Sequence, residues 1–216
     1  MKRFLSVIAL CVMTFWGSHT LRASDFGVVA GANFTSLGDV SARVSTGYHV
    51  GIGRKFNLPF GFSVKPTVLY NLKASVVESA IATNSDIALN VGYAEFMGSI
   101  QWGPDLILFR PFFDVSPFIG YAVNNDFETT TLITNAIKTW KNEWDGMNRL
   151  EYGFGLGLGV EVWKLQVVGR YNWNLGSLYS PEGEVDELKD IFTNAKASVL
   201  EDKNFNGVTL SVSLMF

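Results

Sequence analysis

The chain has 216 residues, of which 48% are hydrophobic, 14% aromatic and only 17% charged, with a formal net charge of −3. Soluble domains carry about 25% charged residues, so a water-exposed surface all round is disfavoured. The negative balance and the absence of any Lys/Arg cluster exclude a general nucleic-acid binder.

The chain opens with Lys2 and Arg3, then an apolar run over 4–16, then small residues around Ala23. That order describes a secretory signal peptide, expected to be residues 1–23 with cleavage after Ala23 or Ser24. Residues 24–216 then form one domain. The apolar run is shorter than the roughly 20 residues a membrane-spanning helix needs, and nothing downstream approaches that length. Cys11 is the only cysteine and lies inside the signal. A lipid anchor on Cys11 would put bulky Leu10 before the cut, which disfavours it. The exported chain therefore has no thiol, hence no disulfide and no thiolate catalysis.

Eight strand-like segments follow, near 26–34, 47–56, 60–72, 87–102, 107–123, 149–162, 165–176 and 206–216. In the third, Phe60, Phe62, Val64, Pro66, Val68, Tyr70 and Leu72 share one parity, with Ser63, Lys65, Thr67 and Asn71 on the other. The fourth changes parity near Ala94 and Glu95, since Leu89, Val91 and Tyr93 are odd but Phe96, Ile100 and Trp102 are even; a bulge there would restore one apolar face. Pro66, Pro111 and Pro117 are awkward inside strands because proline cannot donate to a ladder.

The sixth segment alternates Tyr152, Phe154, Leu156, Leu158, Val160 and Val162 with Gly153, Gly155, Gly157, Gly159 and Glu161. Glycines make a poor solvent face. A narrow closed barrel needs such gaps, because its inward side chains crowd one another. Val160 stands where a third nucleotide-loop glycine would follow Gly155 and Gly157, so that motif is absent. The last segment, NGVTLSVSLMF, sets Val208, Leu210, Val212, Leu214 and Phe216 against Thr209, Ser211 and Ser213. An apolar face toward lipid and a polar face toward a small lumen fit this pattern.

The connections alternate in length. Those at 35–46, 73–86, 124–148 and 177–205 are long; those at 57–59, 103–106 and 163–164 are short. That alternation gathers the long loops at one end, as in barrels with short periplasmic turns and long outer loops. The fold expected is therefore all-β: a closed eight-stranded antiparallel transmembrane barrel. Short helices are expected in the last two outer loops. In 181–200, Val185, Leu188, Ile191, Phe192 and Ala195 have helical spacing behind an acidic start. In 127–145, Trp140 and Trp144 stand four apart. Both loops could cover the barrel mouth or present a contact surface to a partner or glycan.

In their order and spacing, GVVAGANFTSL, GYHVGIGRKFNLPFGFSVKPTVLYNLKAS, DVSPFIGYAVNN, YGFGLGLGVEV and LQVVGRYNWNLGSL resemble the PorT-like group of Bacteroidetes outer-membrane β-barrels, over essentially all of residues 24–216. The resemblance implies an eight-stranded barrel and assigns no activity. The group's type member is linked to a secretion and gliding apparatus, a role that barrel motifs do not transfer.

Chemistry-bearing residues are few. His49 is the only histidine after the signal, on the inward parity of the second strand. Outer-membrane proteases and lipid-A-modifying enzymes resemble this scaffold and use histidine with serine or aspartate, but no His-x-Ser pair occurs here. A lone barrel histidine is expected to fill the lumen through hydrogen bonds; no catalytic, cofactor-binding or metal residue is assigned. Lys65, Arg110, Asp114, Glu151, Glu161 and Arg170 have inward parity and should form a paired network, because an unpaired buried charge is costly. Eight strands leave too little room for a solute channel.

Three functions fit this scaffold. The first is a structural or interaction barrel that presents its outer loops or serves an envelope assembly, and it is the leading expectation. The others are a small-ligand or lipid binder at the mouth, and an outer-membrane hydrolase or acyltransferase. The partners expected are outer-membrane lipid, the barrel-insertion machinery, which would read the outward stripe ending at Phe216, and an envelope protein met through the outer loops.

Overall fold

The structure, a computed structural model, describes residues 25–37, 43–78, 85–131, 136–141, 144, 148–176 and 204–216. Period-two alternation dominates these residues, and it produces nine strands: β1 (Asp25–Leu37), β2 (Arg43–Asn57), β3 (Phe62–Glu78), β4 (Ser85–Trp102), β5 (Arg110–Thr131), β6 (Ala136–Lys141), β7 (Leu150–Val162), β8 (Leu165–Asn174) and β9 (Phe205–Met215). All pairings are antiparallel. β4 pairs β5 and β1 pairs β9, so eight strands close into a ring. The ninth, β6, pairs with β5 beyond the point where β7 leaves it. The expected closed eight-stranded barrel is the fold observed.

Following hydrogen-bonded partners once around the ring from Leu150 leads through Tyr121, Ala94, Tyr70, Val50, Ala30, Val212 and Val167 to Val160, ten residues along the same strand. That stagger over eight strands tilts them by about 40° and sets a backbone radius of about 8 Å. Side chains alone fill so narrow a ring.

Parity divides the residues as alternation requires. Val208, Leu210, Val212, Leu214 and Phe216 are exposed on the outer face, whereas Thr209, Ser211, Ser213 and Met215 are buried inside. The inward glycines of β7 leave space for large neighbours. A Cβ would lie 2.7 Å from Phe118 Cζ at Gly153, 2.7 Å from Arg170 Cγ at Gly157 and 2.3 Å from Phe112 Cζ at Gly159.

Three expectations are corrected. β4 does not change parity: it pairs β3 in unbroken register, and Leu89, Val91 and Tyr93 all point inward and are buried. The bulge lies on β5, where Gly92 faces Asn124 but Tyr93 faces Ala122, and the inward parity passes from Ala122 to Asn125. Where 127–145 is described, strand stands in place of the expected helix: β5 runs on to Thr131 and β6 (Ala136–Lys141) returns along it. The β-branched run at Thr129, Thr130 and Thr131 favours that outcome. Finally, Phe60 and Ile107 lie outside the strands. Phe60 sits in a single 3-10 turn (Pro59–Gly61) with φ 63°, and Ile107 is fully exposed before β5 begins. The signal at 1–23 and the helix expected in 181–200 lie outside the described residues.

Pro66 and Pro117 remain within strands, and the ladders adapt. Pro66 faces Gly98 on β4, while the pairing of β4 with β5 skips from Met97–Phe118 to Ile100–Val115, around Pro117. The short connections lie at 58–61, 103–109 and 163–164, all at one end of the barrel. Trp163 begins the tightest of them with φ 53°.

At the other end the rim is uneven. With the tilt above, the level of Leu150 on β7 corresponds to about Ala122 on β5, Gly92 on β4 and Ala74 on β3. β7, β8, β9 and β1 end near that level. β3, β4 and β5 continue past it and, with β6, form a sheet that stands beyond the ring.

Candidate functional site

The lumen holds the chain's concentration of chemistry-bearing side chains. Beginning at the short-turn end, Lys55 of β2 donates to both carboxylate oxygens of Glu161, each at 2.6 Å. Arg110 reaches the same carboxylate at 3.4 Å and donates to the Gly61 carbonyl at 2.7 Å. Gln166 joins this layer to the next, donating to Glu161 at 3.1 Å and to Gln101 at 3.0 Å. Lys65, fully buried, donates to Gln166 and to Ser213.

At mid-height Arg170 of β8 donates from Nε to Asp114 of β5 at 2.6 Å. Ser99 and Ser116 donate to the same carboxylate, so both of its oxygens are satisfied. Arg170 also donates to Ser211 Oγ at 3.3 Å. Ser211 in turn lies 2.9 Å from His49 Nε2, and His49 Nδ1 lies 2.7 Å from Asn33 Oδ1. From there Asn33 donates to Asn71, and Asn71 to Glu95 at 2.8 Å. Lys73 lies 3.7 Å from Glu95 and 2.8 Å from Glu151, which also accepts from Asn174 at 2.9 Å. The chain of polar contacts thus runs the length of the barrel without a break. Around it, Val29, Leu69, Met97 and Phe118 form an apolar layer.

All six inward charges read from the sequence lie in this network. It also contains Lys55, Lys73 and Glu95, which the sequence reading left out. Lys55 shares the parity of His49 and Lys73 that of Lys65, so strict alternation was signal enough for both. Glu95 lies where the parity change was placed.

The structure supplies a partner for His49 that no local motif displays. Ser211 is 162 positions away in sequence and comes opposite through the closure of β1 on β9. Serine, histidine and a carbonyl oxygen in this order form the arrangement by which a base activates a nucleophile. Here, however, Ser211 is 2% exposed and its hydroxyl already accepts from Arg170. The adjoining cavity measures about 20 Å3, room for a water and not for an acyl chain. The arrangement ties β1, β2, β8 and β9 together across the lumen. Among the described residues, no three His, Cys, Asp or Glu side chains gather to hold a metal ion.

The family model described as the outer membrane protein beta-barrel domain matches residues 17–180. The chain belongs to this family. Its barrel thus sits in the outer membrane. Among solved structures, it is similar to Neisserial surface protein A (NspA) at 12% identity, covering 90% of this chain and 100% of that one, with a TM-score of 0.45. A major outer membrane protein from Thermus thermophilus aligns at 11% identity over 90% of this chain and 100% of that one, TM-score 0.42. Ail, the attachment invasion locus protein of Yersinia pestis, aligns at 8% identity over 89% and 97%, TM-score 0.36. No curated protein sequence matches the chain.

Proposed function

We propose that this outer-membrane barrel acts as an interaction protein whose working surface is the sheet raised beyond the rim by β3, β4, β5 and β6. The observation that carries the reading is the contrast between the barrel's two polar regions. The lumen is filled along its length by side chains that bond chiefly to one another, from Lys55 and Glu161 at the short-turn end to Lys73 and Glu151 at the other. Among the described residues, the sheet beyond the rim ends in β6, which is paired by β5 alone. A strand edge with unpaired backbone groups is a template for an added strand from a partner. The long-loop end faces the outside of the cell, and the partner is an envelope or extracellular protein. The resemblance to the PorT-like group supports an envelope role and does not choose the partner.

The test is a crosslinking pull-down from intact outer membranes. It compares the wild-type barrel with a variant in which 132–141 is replaced by a short Gly/Ser turn, which removes β6 and leaves the ring. The wild type should capture a defined partner that the variant loses while both reach the membrane in equal amount. Equal capture by both would overturn the reading.

A further inference from the structure

The short-turn end carries apolar side chains where turns ordinarily carry polar ones. In the connection at 103–109, Leu106, Ile107, Leu108 and Phe109 follow one another and all are exposed, Ile107 fully and Leu108 by 80%. Such a run is out of place in a turn that faces water. Phe60 and Trp163 stand in the other two short connections, 92% and 86% exposed, with φ 63° and 53°. Among the described residues they are the only non-glycines in the left-handed region. A bulky side chain is strained there, and glycine or asparagine suits such a turn better. Neither ring is buried by the barrel itself.

The turns are held in shape. Gly103 N–H donates to the Gly61 carbonyl at 3.1 Å, and Arg110 donates to the same oxygen at 2.7 Å. Leu106 N–H donates to the Phe109 carbonyl at 3.1 Å, which closes the loop. The apolar run is therefore presented by a braced loop.

The distribution of these side chains decides what covers them. Exposed apolar groups stand at all four junctions of this end: Phe60 between β2 and β3, Ile107 and Leu108 between β4 and β5, Trp163 between β7 and β8, and Phe26 beside Phe216 where β1 meets β9. A protein partner covers one side of a barrel, whereas a bilayer surrounds it. The turns also continue the barrel's outward face. Phe62, Trp102 and Phe113 form one row across β3, β4 and β5, with successive ring centroids 6.4 and 6.3 Å apart, and the turns at 59–61 and 103–109 adjoin that row. The barrel sits in the outer membrane, and a row of this kind marks the boundary of its apolar band. Charge agrees with this occupant. The Lys164 ammonium lies 5.6 Å from the Trp163 ring centre and the Arg54 guanidinium 5.2 Å from that of Phe56. A cation beside an aromatic ring suits the level where acyl chains give way to phosphate. Asp105, the one acid in the three connections, is paired with Arg110 at 3.2 Å.

We propose that the short connections at 58–61, 103–109 and 163–164 are seated in phospholipid, at the headgroup–acyl boundary of the periplasmic leaflet, and do not project into the periplasm. The 103–109 loop is the largest part of this anchor, and it binds by its apolar area together with the nearby cations.

The experiment places a single thiol on that loop of the full chain, as Ile107→Cys with Cys11→Ser, and labels it with an environment-sensitive dye. The barrel is inserted into vesicles of phosphatidylethanolamine and phosphatidylglycerol. Lipid carrying a nitroxide near the top of the acyl chain should quench the dye severalfold more than the same lipid without it, and aqueous iodide should quench it severalfold less than the free dye. Should Ile107→Cys fail to insert, Leu108→Cys serves instead. A benzophenone on the same thiol, activated in isolated outer membranes, should form adducts with phospholipid. Iodide quenching equal to that of the free dye, with no effect of the nitroxide lipid, overturns the proposal. So does a benzophenone adduct with one defined protein in place of lipid, which would make the loop a docking site for a periplasmic partner.

Discussion

Arg170 and Asp114 lie two strands apart with Gly157 directly between them in the ladder, and Arg170 Nε donates across that gap to Asp114 Oδ1 at 2.6 Å. The register that brings them level follows from the two-residue turn Trp163–Lys164, which pairs Val162 with Leu165, and from the pairing of Arg110 with Glu161 on the other side. Both side chains are buried. Removing one partner leaves the other charge stranded in the lumen, so Asp114→Asn or Arg170→Met alone should cost about 3–5 kcal/mol. The double variant should cost less than the sum of the two. Urea unfolding of the barrel in lipid vesicles measures all three, and strict additivity would count against the pairing.

Glycine at the crossing point is a steric requirement. A Cβ on Gly157 would stand 2.4 Å from the Gly169 carbonyl oxygen and 2.7 Å from Arg170 Cγ, whereas one on the outward Gly98 would meet nothing within 4 Å. Gly157→Ala should destabilise by about 1–3 kcal/mol through overpacking. Gly98→Ala should be near neutral. The same unfolding assay ranks the two, and equal losses would contradict the assigned faces.

Alternation alone placed these residues, because a closed barrel with a filled lumen obeys parity more strictly than an open sheet does. It failed where both faces are apolar. Leu89, Val91 and Tyr93 read as lipid-facing but are buried on the inward face near the mouth, beside the polar network. The resulting false parity change hid Glu95 and drew attention away from β5, where Val123, Asn124 and Asn125 carry the actual bulge. The Trp140–Trp144 spacing suggested a helix, yet the threonine run before it was the stronger signal and led into a hairpin. The contact of His49 with Ser211 was illegible for another reason: it depends on ring closure between the first and last strands.

Topology gives a third expectation. All three short connections share one end of the barrel, and the strand number is even, so both ends of the exported chain should lie in the periplasm. An epitope tag inserted in 177–203 should be labelled on intact cells, and one beside Asn57 should not. Surface labelling at Asn57 would invert the assignment.

The terminal strand separates assembly from packing. Phe216 is outward and exposed, its ring centroid 6.2 Å from that of Phe26, whereas Met215 is 3% exposed and fills the lumen beside Gly27. Deleting Phe216 should lower the amount of barrel inserted in the membrane more than Met215→Ala does. Heat-modifiable gel mobility of membrane fractions reads that yield, and equal loss would contradict the assigned stripe.

The central claim is that the lumen is a filled core, and that the barrel works through what stands beyond its rim. The direct measurement is ion current across a planar bilayer holding the purified wild-type barrel. The network from Lys55 to Asn174 predicts no unitary conductance at moderate voltage. Reproducible open-channel steps from the wild type, scaling with the amount of protein added, would contradict it.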